Sequence, residues 1–210
     1  MKLLIVSDSP AIQSGLGRVT RELADRFARE GVDVAVAGWF DIHGDRAMEF
    51  DYPVYPAVKM QPESVAPYLE GIDTVLAIGD PWDFEWLAAQ RAQGAPFRLI
   101  GYLNVEGAPL PVACERILDG FDVLIATSEF GARVINRPVV RAVHHGVGPQ
   151  FRRRPGPARL GHRELADTFV VLLNGQNTVR KNFPTALEGF EFFARNKTDV
   201  VLYANTCVNP

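Results

Sequence analysis

Two adjacent cations follow an apolar run close to the end of the sequence. In FVVLLNGQNTVRKNFPTALEGF, residues 169–190, the apolar run ends at Asn174 and Gly175, and Arg180 and Lys181 lie in the polar loop after it. An amphipathic segment comes next, so the predicted order is strand, loop, helix. Cations just ahead of a helix N-terminus are electrostatically unfavourable unless an anion compensates them. The stretch therefore predicts an anion site of the phosphate type, with two solvated loop cations as the alternative.

A glycine-containing loop near the start of the chain could also receive an anion. In SDSPAIQSGLGRVTRELADRF a strand ends near Ser7, and Gly15 and Gly17 lead into a helix. Small residues there let a ligand approach the backbone N–H groups. The alternative is that the glycines only serve the turn. Thr20 replaces the third glycine of the dinucleotide fingerprint, so NAD binding by an oxidoreductase is disfavoured.

Two carboxylates come after predicted strands. Asp80 directly follows an apolar run, where ligands gather in open α/β sheets. It could instead cap the helix that Pro81 opens. Glu106 lies in a loop after residues 97–103, where a carboxylate can accept a hydrogen bond or a proton from a substrate hydroxyl. An ordinary loop acid is the alternative for Glu106.

Two adjacent histidines and a run of three arginines are expected to have no catalytic or metal-binding role. His144 and His145 are adjacent at a predicted strand end, so their side chains point to opposite faces and cannot chelate one metal. No third ligand has metal-type spacing, so we expect no metal site. We expect one imidazole to hold the chain turn that follows. Arg152, Arg153 and Arg154 are expected to be solvated.

Apolar periodicity predicts the elements that position these residues. Short β-branched-rich runs, mostly continuous, alternate with helical patterns such as GRVTRELADRFAREG, where Val19, Leu23 and Phe27 recur every four residues. Strands alternating with helices indicate an α/β fold with a parallel sheet. The predicted strands are residues 3–6, 32–37, 74–78, 97–103, 123–126, 139–143, 168–173 and 200–203.

Three further helices are predicted from the residues at their ends. One is opened by Pro81 and closed by Gly94, and another has Ser128 as its N-cap. The third follows the paired cations, with Asn182 as its N-cap and Pro184 in its first turn.

The strand–helix pattern breaks between residues 146 and 160. GVGPQFRRRPGPARL is rich in glycine and proline, which is a linker composition. The pattern restarts at Thr168. We therefore expect a first Rossmann-like domain over residues 1–150, a linker over 151–164, and the start of an incomplete second domain over 165–210. The exposed strand edge of an incomplete sheet could support self-association.

Composition narrows the class of protein. The chain has 210 residues, 47% hydrophobic and 22% charged, and a net charge of -3, so nothing suggests nucleic acid as a partner. Cys114 and Cys207 are far apart and make neither a disulfide framework nor a metal site. The start is too short for a signal peptide, and no run approaches the ~18 apolar residues of a membrane span. We expect a cytoplasmic protein without an integral membrane segment.

Several stretches, taken in order, match one known pattern. They are SGLGRVTRELADRFAREG, YLNVEG, ATSEFGARVI, VHHGVGPQFRR and NGQNTVRKNFPTALEGFEFF, and they span nearly the whole chain. The sequence resembles a glycosyltransferase of the GT-B fold, specifically the large retaining family that includes sucrose- and glycogen-synthase-like enzymes and mannosyltransferases. The resemblance implies two Rossmann-like domains and transfer of a sugar from a UDP- or GDP-sugar to an acceptor hydroxyl, with no further cofactor.

The resemblance also implies roles for the loop residues. Gly15 and Gly17 match the family's glycine loop, which faces the donor diphosphate and the acceptor. The family's basic pair would place an arginine directly after Gly175, but this chain has Gln176 there. Lys181 holds the lysine position. The charge that the pair lacks would then come from the cation beside that lysine, Arg180.

Glu106 is the candidate for positioning the acceptor, because many family members have a histidine in that loop and some have an acid. Asp80 is a weaker candidate for the same region. The family's second domain is much longer than residues 165–210, so the chain resembles a glycosyltransferase truncated within that domain. An alternative is a non-catalytic binding or regulatory remnant that has lost its donor site.

Overall fold

The structure of the protein is a computed structural model, and it describes residues 1–40, 49–137, 139–148, 151–153, 155–156, 159–160 and 163–206. The chain forms two compact units, Met1–Val147 and Gly148–Pro210, here called unit 1 and unit 2. Arg154 and Cys207, both considered in the sequence analysis, lie outside the described residues. Over these described ranges, no helix combines the length and apolarity needed to cross a membrane.

Unit 1 contains a seven-stranded sheet in which every pairing is parallel. Its strands lie in the order β3-β2-β1-β4-β5-β6-β7. The predicted α/β class with a Rossmann-like parallel sheet is therefore confirmed. The strands are β1 (Lys2–Asp8), β2 (Asp33–Trp39), β3 (Val54–Ala57), β4 (Thr74–Gly79), β5 (Arg98–Leu103), β6 (Val123–Ala126) and β7 (Val139–Ala142).

Among the described residues of unit 1, four α-helices follow strands β1, β4, β5 and β6. They are α1 (Gly15–Arg29), α2 (Glu85–Ala92), α3 (Val112–Leu118) and α4 (Glu129–Ile135). Ser128 caps α4 as predicted, because its Oγ accepts a hydrogen bond from the Gly131 N–H at 3.0 Å. The predicted apolar stripe of α1, made by Val19, Leu23 and Phe27, packs against the sheet. These helices thus begin at the carboxyl ends of strands, where the candidate site residues lie.

The sheet buries apolar side chains on both faces. Along β1, Leu4 and Val6 belong to one core, whereas Leu3 and Ile5 belong to the other, on the side of α1. Successive strand residues point to opposite faces, so a strand covered on both sides must be apolar throughout. This explains the continuous apolar runs in the sequence.

Three elements of unit 1 differ from the sequence-based expectations. Strand β3 was missed because Pro56 interrupts its apolar pattern. It is an edge strand paired only with β2, where a residue without an N–H is tolerated. Helix α3 was also missed, because no side chain caps its N-terminus in the way that Ser128 caps the equally short α4. The helix predicted from Pro81 begins as a 3-10 turn, Pro81–Phe84, and becomes α-helical only at Glu85.

Unit 2 contains one βαβ arrangement and one short hairpin. The strands β8 (Arg159–Leu160) and β9 (Arg163–Glu164) pair antiparallel within the predicted linker. Strands β10 (Phe169–Asn174) and β11 (Val200–Asn205) pair parallel, and α5 (Phe183–Ala194) connects them. Asn182 precedes α5 as predicted, but its side chain makes no capping hydrogen bond because its backbone is left-handed, with φ 46°.

Many apolar side chains of unit 2 remain exposed. Phe183 and Leu165 are buried, and the ring of Phe193 lies near those of Phe169 and Phe190. A sheet of only two strands offers little surface for a core. The exposed large apolar residues of its βαβ arrangement include Phe169, Val170, Leu172, Val179, Leu187, Phe192, Phe193 and Tyr203.

Candidate functional site

The strand order of unit 1 reverses between β1 and β4, which are neighbours in the sheet. In open α/β sheets, ligands bind outside the carboxyl ends of the strands at such a switch point. Asp8 ends β1, Asp80 follows β4 directly, and Glu106 lies three residues after the end of β5. Because all these strands are parallel, the three carboxylates lie at one edge of the sheet.

Ser14 joins the start of α1 to the end of β1. Its Oγ donates a hydrogen bond to Asp8 Oδ2 at 2.6 Å and accepts one from the Gly17 N–H at 2.8 Å. Asp8 is almost fully buried, so the Ser14 hydroxyl also satisfies a carboxylate that has little access to water. The loop between β1 and α1 is thereby fixed in place.

The two glycines at the start of α1 have different surroundings. A Cβ at Gly17 would lie 2.7 Å from the Ser9 carbonyl oxygen and 2.9 Å from that of Ile12, so only glycine fits there. A Cβ at Gly15 would meet no atom within 4 Å. The Gly17 N–H is already used by Ser14, which leaves Gly15 as the glycine of this pair with open space beside it.

Asp80 stands at the N-cap of the 3-10 turn, but its side chain makes no capping hydrogen bond. It instead accepts a hydrogen bond from the Asn104 side chain. Burial raises the pKa of the Asp80 carboxyl, and the negative charges of Asp83 and Glu106 raise this pKa further. Lys59 and the Asn104 hydrogen bond act in the opposite direction. The capping alternative considered for Asp80 is therefore not what its side chain does.

Glu106 lies in the loop after β5, next to the buried Val105 and the exposed Gly107. Its side chain is exposed, and its charge acts on Asp80. Unit 1 thus presents one exposed and one half-buried carboxyl at the same sheet edge. Such a pair can accept hydrogen bonds from the hydroxyl groups of a ligand.

The structure also places an ion pair here that the sequence analysis missed. Lys59 Nζ lies 2.8 Å from Oδ2 of the buried Asp83, and it lies 5.2 Å from the centre of the Trp39 ring. Lys59 follows β3, the strand that Pro56 concealed, so its position at this edge could not be read from the pattern. A strand predicted over residues 54–57 would have placed Lys59 just after the carboxyl end of that strand.

The remaining predicted residues of unit 1 have structural contacts. The His145 ring packs edge-on against Tyr102, with 5.3 Å between ring centres, and burial lowers the pKa of His145. Cys114 is buried and unpaired with another cysteine. Over the ranges that the structure describes, no group of three or more His, Cys, Asp or Glu residues is arranged to hold a metal ion.

Unit 2 carries the paired cations on its own sheet edge. Arg180 and Lys181 belong to a 3-10 turn, Val179–Lys181, directly ahead of α5. Both side chains are exposed, and among the described residues neither has an acidic partner within ion-pair distance. A Cβ at Gly175 would lie 4.0 Å from the methylenes of Lys181, so this lysine extends beside the end of β10.

Two asparagines tie the strand ends of unit 2 together. The Asn205 side-chain amide donates to Asn174 Oδ1 at 2.7 Å, and the Gly175 N–H donates to the Asn205 carbonyl at 3.1 Å. Gln176 is exposed in the loop that follows, where its carbonyl accepts from the Thr178 N–H. Gly175, Gln176, and the paired cations therefore lie around one turn at the carboxyl end of β10.

Comparisons with known proteins find similarity among solved structures and none elsewhere. No protein-family model matches the chain, and no curated protein matches it. It is similar to the structure described as "alpha-glucosyltransferase in complex with UDP and a 13-mer DNA containing a central A:G mismatch". The TM-score is 0.48 and the identity 13%, with 96% of this chain and 55% of that chain covered. This chain therefore spans about half the length of that glucosyltransferase. Identity this low does not transfer an activity from one chain to another.

Proposed function

We propose that the chain belongs to a glycosyltransferase that moves a sugar from a nucleotide-diphosphate sugar, UDP- or GDP-linked, to an acceptor hydroxyl with retention of configuration. The motif resemblance and the positions of the matching residues support the proposal. In it, unit 2 binds the donor diphosphate through the turn after β10, and unit 1 holds the acceptor at the carboxyl edge of its sheet. Gly15 is the part of the glycine loop that remains open to a ligand.

The observation that carries the proposal is the turn with Arg180 and Lys181. Two exposed cations precede a twelve-residue helix without an acidic partner among the described residues. The helix N-terminus and both cations favour a bound anion, and charge-assisted hydrogen bonds to phosphate are stronger than neutral ones. A leaving diphosphate gains negative charge as its bond to the sugar breaks. Cations fixed at that point therefore stabilise the transition state more than the ground state.

The acceptor side of the proposal rests on Glu106 and Asp80. The exposed Glu106 carboxylate is suited to accept a hydrogen bond from an acceptor hydroxyl, which orients that oxygen towards the sugar. Asp80 lies beside it, half-buried and hydrogen-bonded to Asn104.

Calorimetric titration with UDP, GDP and ADP tests the donor site. We expect one nucleotide to bind, and Lys181→Ala to weaken its affinity about tenfold, the loss typical of one charge-assisted hydrogen bond. Arg195→Ala is the matched control, because Arg195 directly follows the last residue of α5, at the opposite end of that helix. Equal affinities for the wild type and both variants would contradict the proposal.

The second candidate function is a non-catalytic binding module that lacks a working donor site. Two observations favour it: Gln176 stands where the family has an arginine, and the Gly17 N–H is already bonded within the protein. Transfer or hydrolysis of a UDP- or GDP-sugar separates the two functions. Absence of heat with all three nucleotides would support the binding module.

We further propose a cytoplasmic protein that self-associates through the open sheet of unit 2. The exposed side chains of β10 and α5 support self-association, since parallel strands are rarely left uncovered. Sedimentation at increasing protein concentration tests it, and a constant monomeric mass would contradict it.

A further inference from the structure

An ion pair between the buried Asp83 and the partly exposed Lys59 includes a residue of the turn that follows Asp80. The Asp83 side chain is only 2% exposed, and Lys59 Nζ lies 2.8 Å from its Oδ2. Removing the Asp83 carboxylate and most of the Lys59 side chain from water is costly, and apolar residues of similar size often stabilise a fold as well as such a pair does. Stability alone therefore does not explain why unit 1 has this pair.

The pair connects three segments of unit 1. Lys59 belongs to the loop after β3, and Asp83 to the 3-10 turn after β4. The Lys59 ammonium also lies over the ring of Trp39, the last residue of β2. Trp39 in turn stacks on Phe84, with 5.5 Å between ring centres, and Phe84 is the last residue of the same 3-10 turn. The turn is thus held by a charge contact and by a ring contact.

The position of this turn determines the position of Asp80. The Asp83 N–H donates to the Asp80 carbonyl at 3.1 Å, which closes the turn directly behind Asp80. The Asp80 side chain caps nothing and is available to Asn104 and to a ligand. A displacement of Asp83 would therefore move the Asp80 backbone with it.

We infer that Lys59 is a positioning residue: through Asp83 and Trp39 it fixes the turn that presents the Asp80 carboxyl at the switch point of the sheet. The inference rests on the proposed function in one respect, that Asp80 faces the acceptor. Lys59 itself contacts neither the acceptor nor the donor in this scheme. Its effect passes through the turn.

Electrostatics gives the inference a second, measurable consequence. The charged and polar groups that act on Asp80 are Asp83, Glu106, Lys59 and Asn104. Lys59 is the only cation among these four, and it lowers the pKa of Asp80. Without it, two neighbouring acids remain uncompensated, so the pKa of Asp80 must rise. A larger fraction of Asp80 would then be protonated at any given pH near that pKa.

The first test is a carboxyl NMR titration of Asp80 in the full chain. We expect Lys59→Met to move the Asp80 titration to higher pH, and Lys59→Arg to leave it close to the wild type. Lys2→Met is the control. Lys2 is an exposed lysine at the amino end of β1, whereas Asp80 follows the carboxyl end of the neighbouring strand β4. Identical titrations of wild type and Lys59→Met would overturn the inference. This readout needs no transferase activity, so it remains valid if the proposed function fails.

The second test separates positioning from folding. Lys59→Met leaves Asp83 buried without a partner and can fail to fold, so Lys59→Met with Asp83→Asn removes both charges together. We expect this double variant to fold, to bind nucleotide like the wild type, and to show an acceptor KM about tenfold higher. A double variant with wild-type acceptor kinetics would overturn the inference while leaving the proposed function intact. Absence of nucleotide binding and transfer in the wild type would instead contradict the proposed function.

Discussion

Both units of this chain contain parallel strands connected by helices, but the strand side chains are buried in unit 1 and largely exposed in unit 2. In unit 1, seven parallel strands are covered on both faces, and side chains such as Leu99 and Ile5 are inaccessible to solvent. In unit 2, two parallel strands support one helix, and Leu172 is 62% exposed. Apolar sequence alone therefore does not produce burial. A strand is buried only where neighbouring strands and helices on both faces are present to cover it.

The largest expected difference between the units is in the response to truncating a strand leucine. Leu99→Ala in β5 should cost about 3 kcal/mol of unfolding free energy, because it leaves a cavity in a packed core. Leu172→Ala in β10 should change the free energy by less than about 0.5 kcal/mol, as for other exposed sites. All three tryptophans lie in unit 1, so urea unfolding followed by tryptophan fluorescence reports that unit. Amide hydrogen exchange of β10 reports unit 2. A large loss of amide protection in β10 of Leu172→Ala would show that unit 2 has a core of its own.

Gly15 and Gly17, at the start of α1, differ in the space that is available for a side chain. Gly17→Ala should cost about 1–3 kcal/mol, because the new Cβ would press on the Ser9 and Ile12 carbonyls, which belong to a fixed backbone. Gly15→Ala should be neutral within about 0.5 kcal/mol, since nothing lies beside it and alanine favours a helix. Urea unfolding of both variants measures the difference. Equal costs would mean that the loop adapts to Gly17→Ala.

The smallest expected effect concerns the Arg91–Asp122 ion pair of unit 1, to which no ion pair corresponds in the described residues 169–205 of unit 2. Arg91 donates to both Asp122 oxygens at 2.8 Å, and the Leu99 N–H donates to Oδ2 at 2.7 Å. The hydrogen bonds from Arg91 lower the pKa of Asp122 against the opposing effect of burial, and the backbone bond also lowers it. A carboxyl with a lowered folded-state pKa stabilises above its unfolded pKa, about 3.9, and this stabilisation is lost as the pH falls through the folded value.

Asp122→Asn should therefore lower the urea midpoint at pH 7, and its difference from the wild type should shrink towards pH 3. Asp119→Asn is a suitable control, because Asp119 makes a single bond to Arg137 and is more exposed. A difference that stays constant across this pH range would show that the lost charge is not the cause.

Most of the strands and helices around the candidate site could be predicted from the residues alone. Apolar runs predicted eight strands to within a few residues: β1, β2, β4, β5, β6, β7, β10 and β11. The stripe of Val19, Leu23 and Phe27 predicted the face of α1 that packs against the sheet. The places of Arg180 and Lys181, between a strand and a helix, could be read directly. These are local features, and period and breakers encode them within a few neighbouring residues.

Which side chains contact one another depends on the packing of distant segments and could not be predicted in this way. The reversal of strand order between β1 and β4 brings the loops with Asp8 and Asp80 to one place, although 71 positions separate Ser7 from its hydrogen-bond acceptor on Ile78. The Ser9 carbonyl leaves no room for a Cβ at Gly17, whereas the space beside Gly15 is open. The sequence gives no sign of this difference between the two glycines. The Lys59–Asp83 pair depends on the edge strand β3. Pairings of this kind depend on strand order and on the packing of distant segments, which the local pattern of residues does not encode.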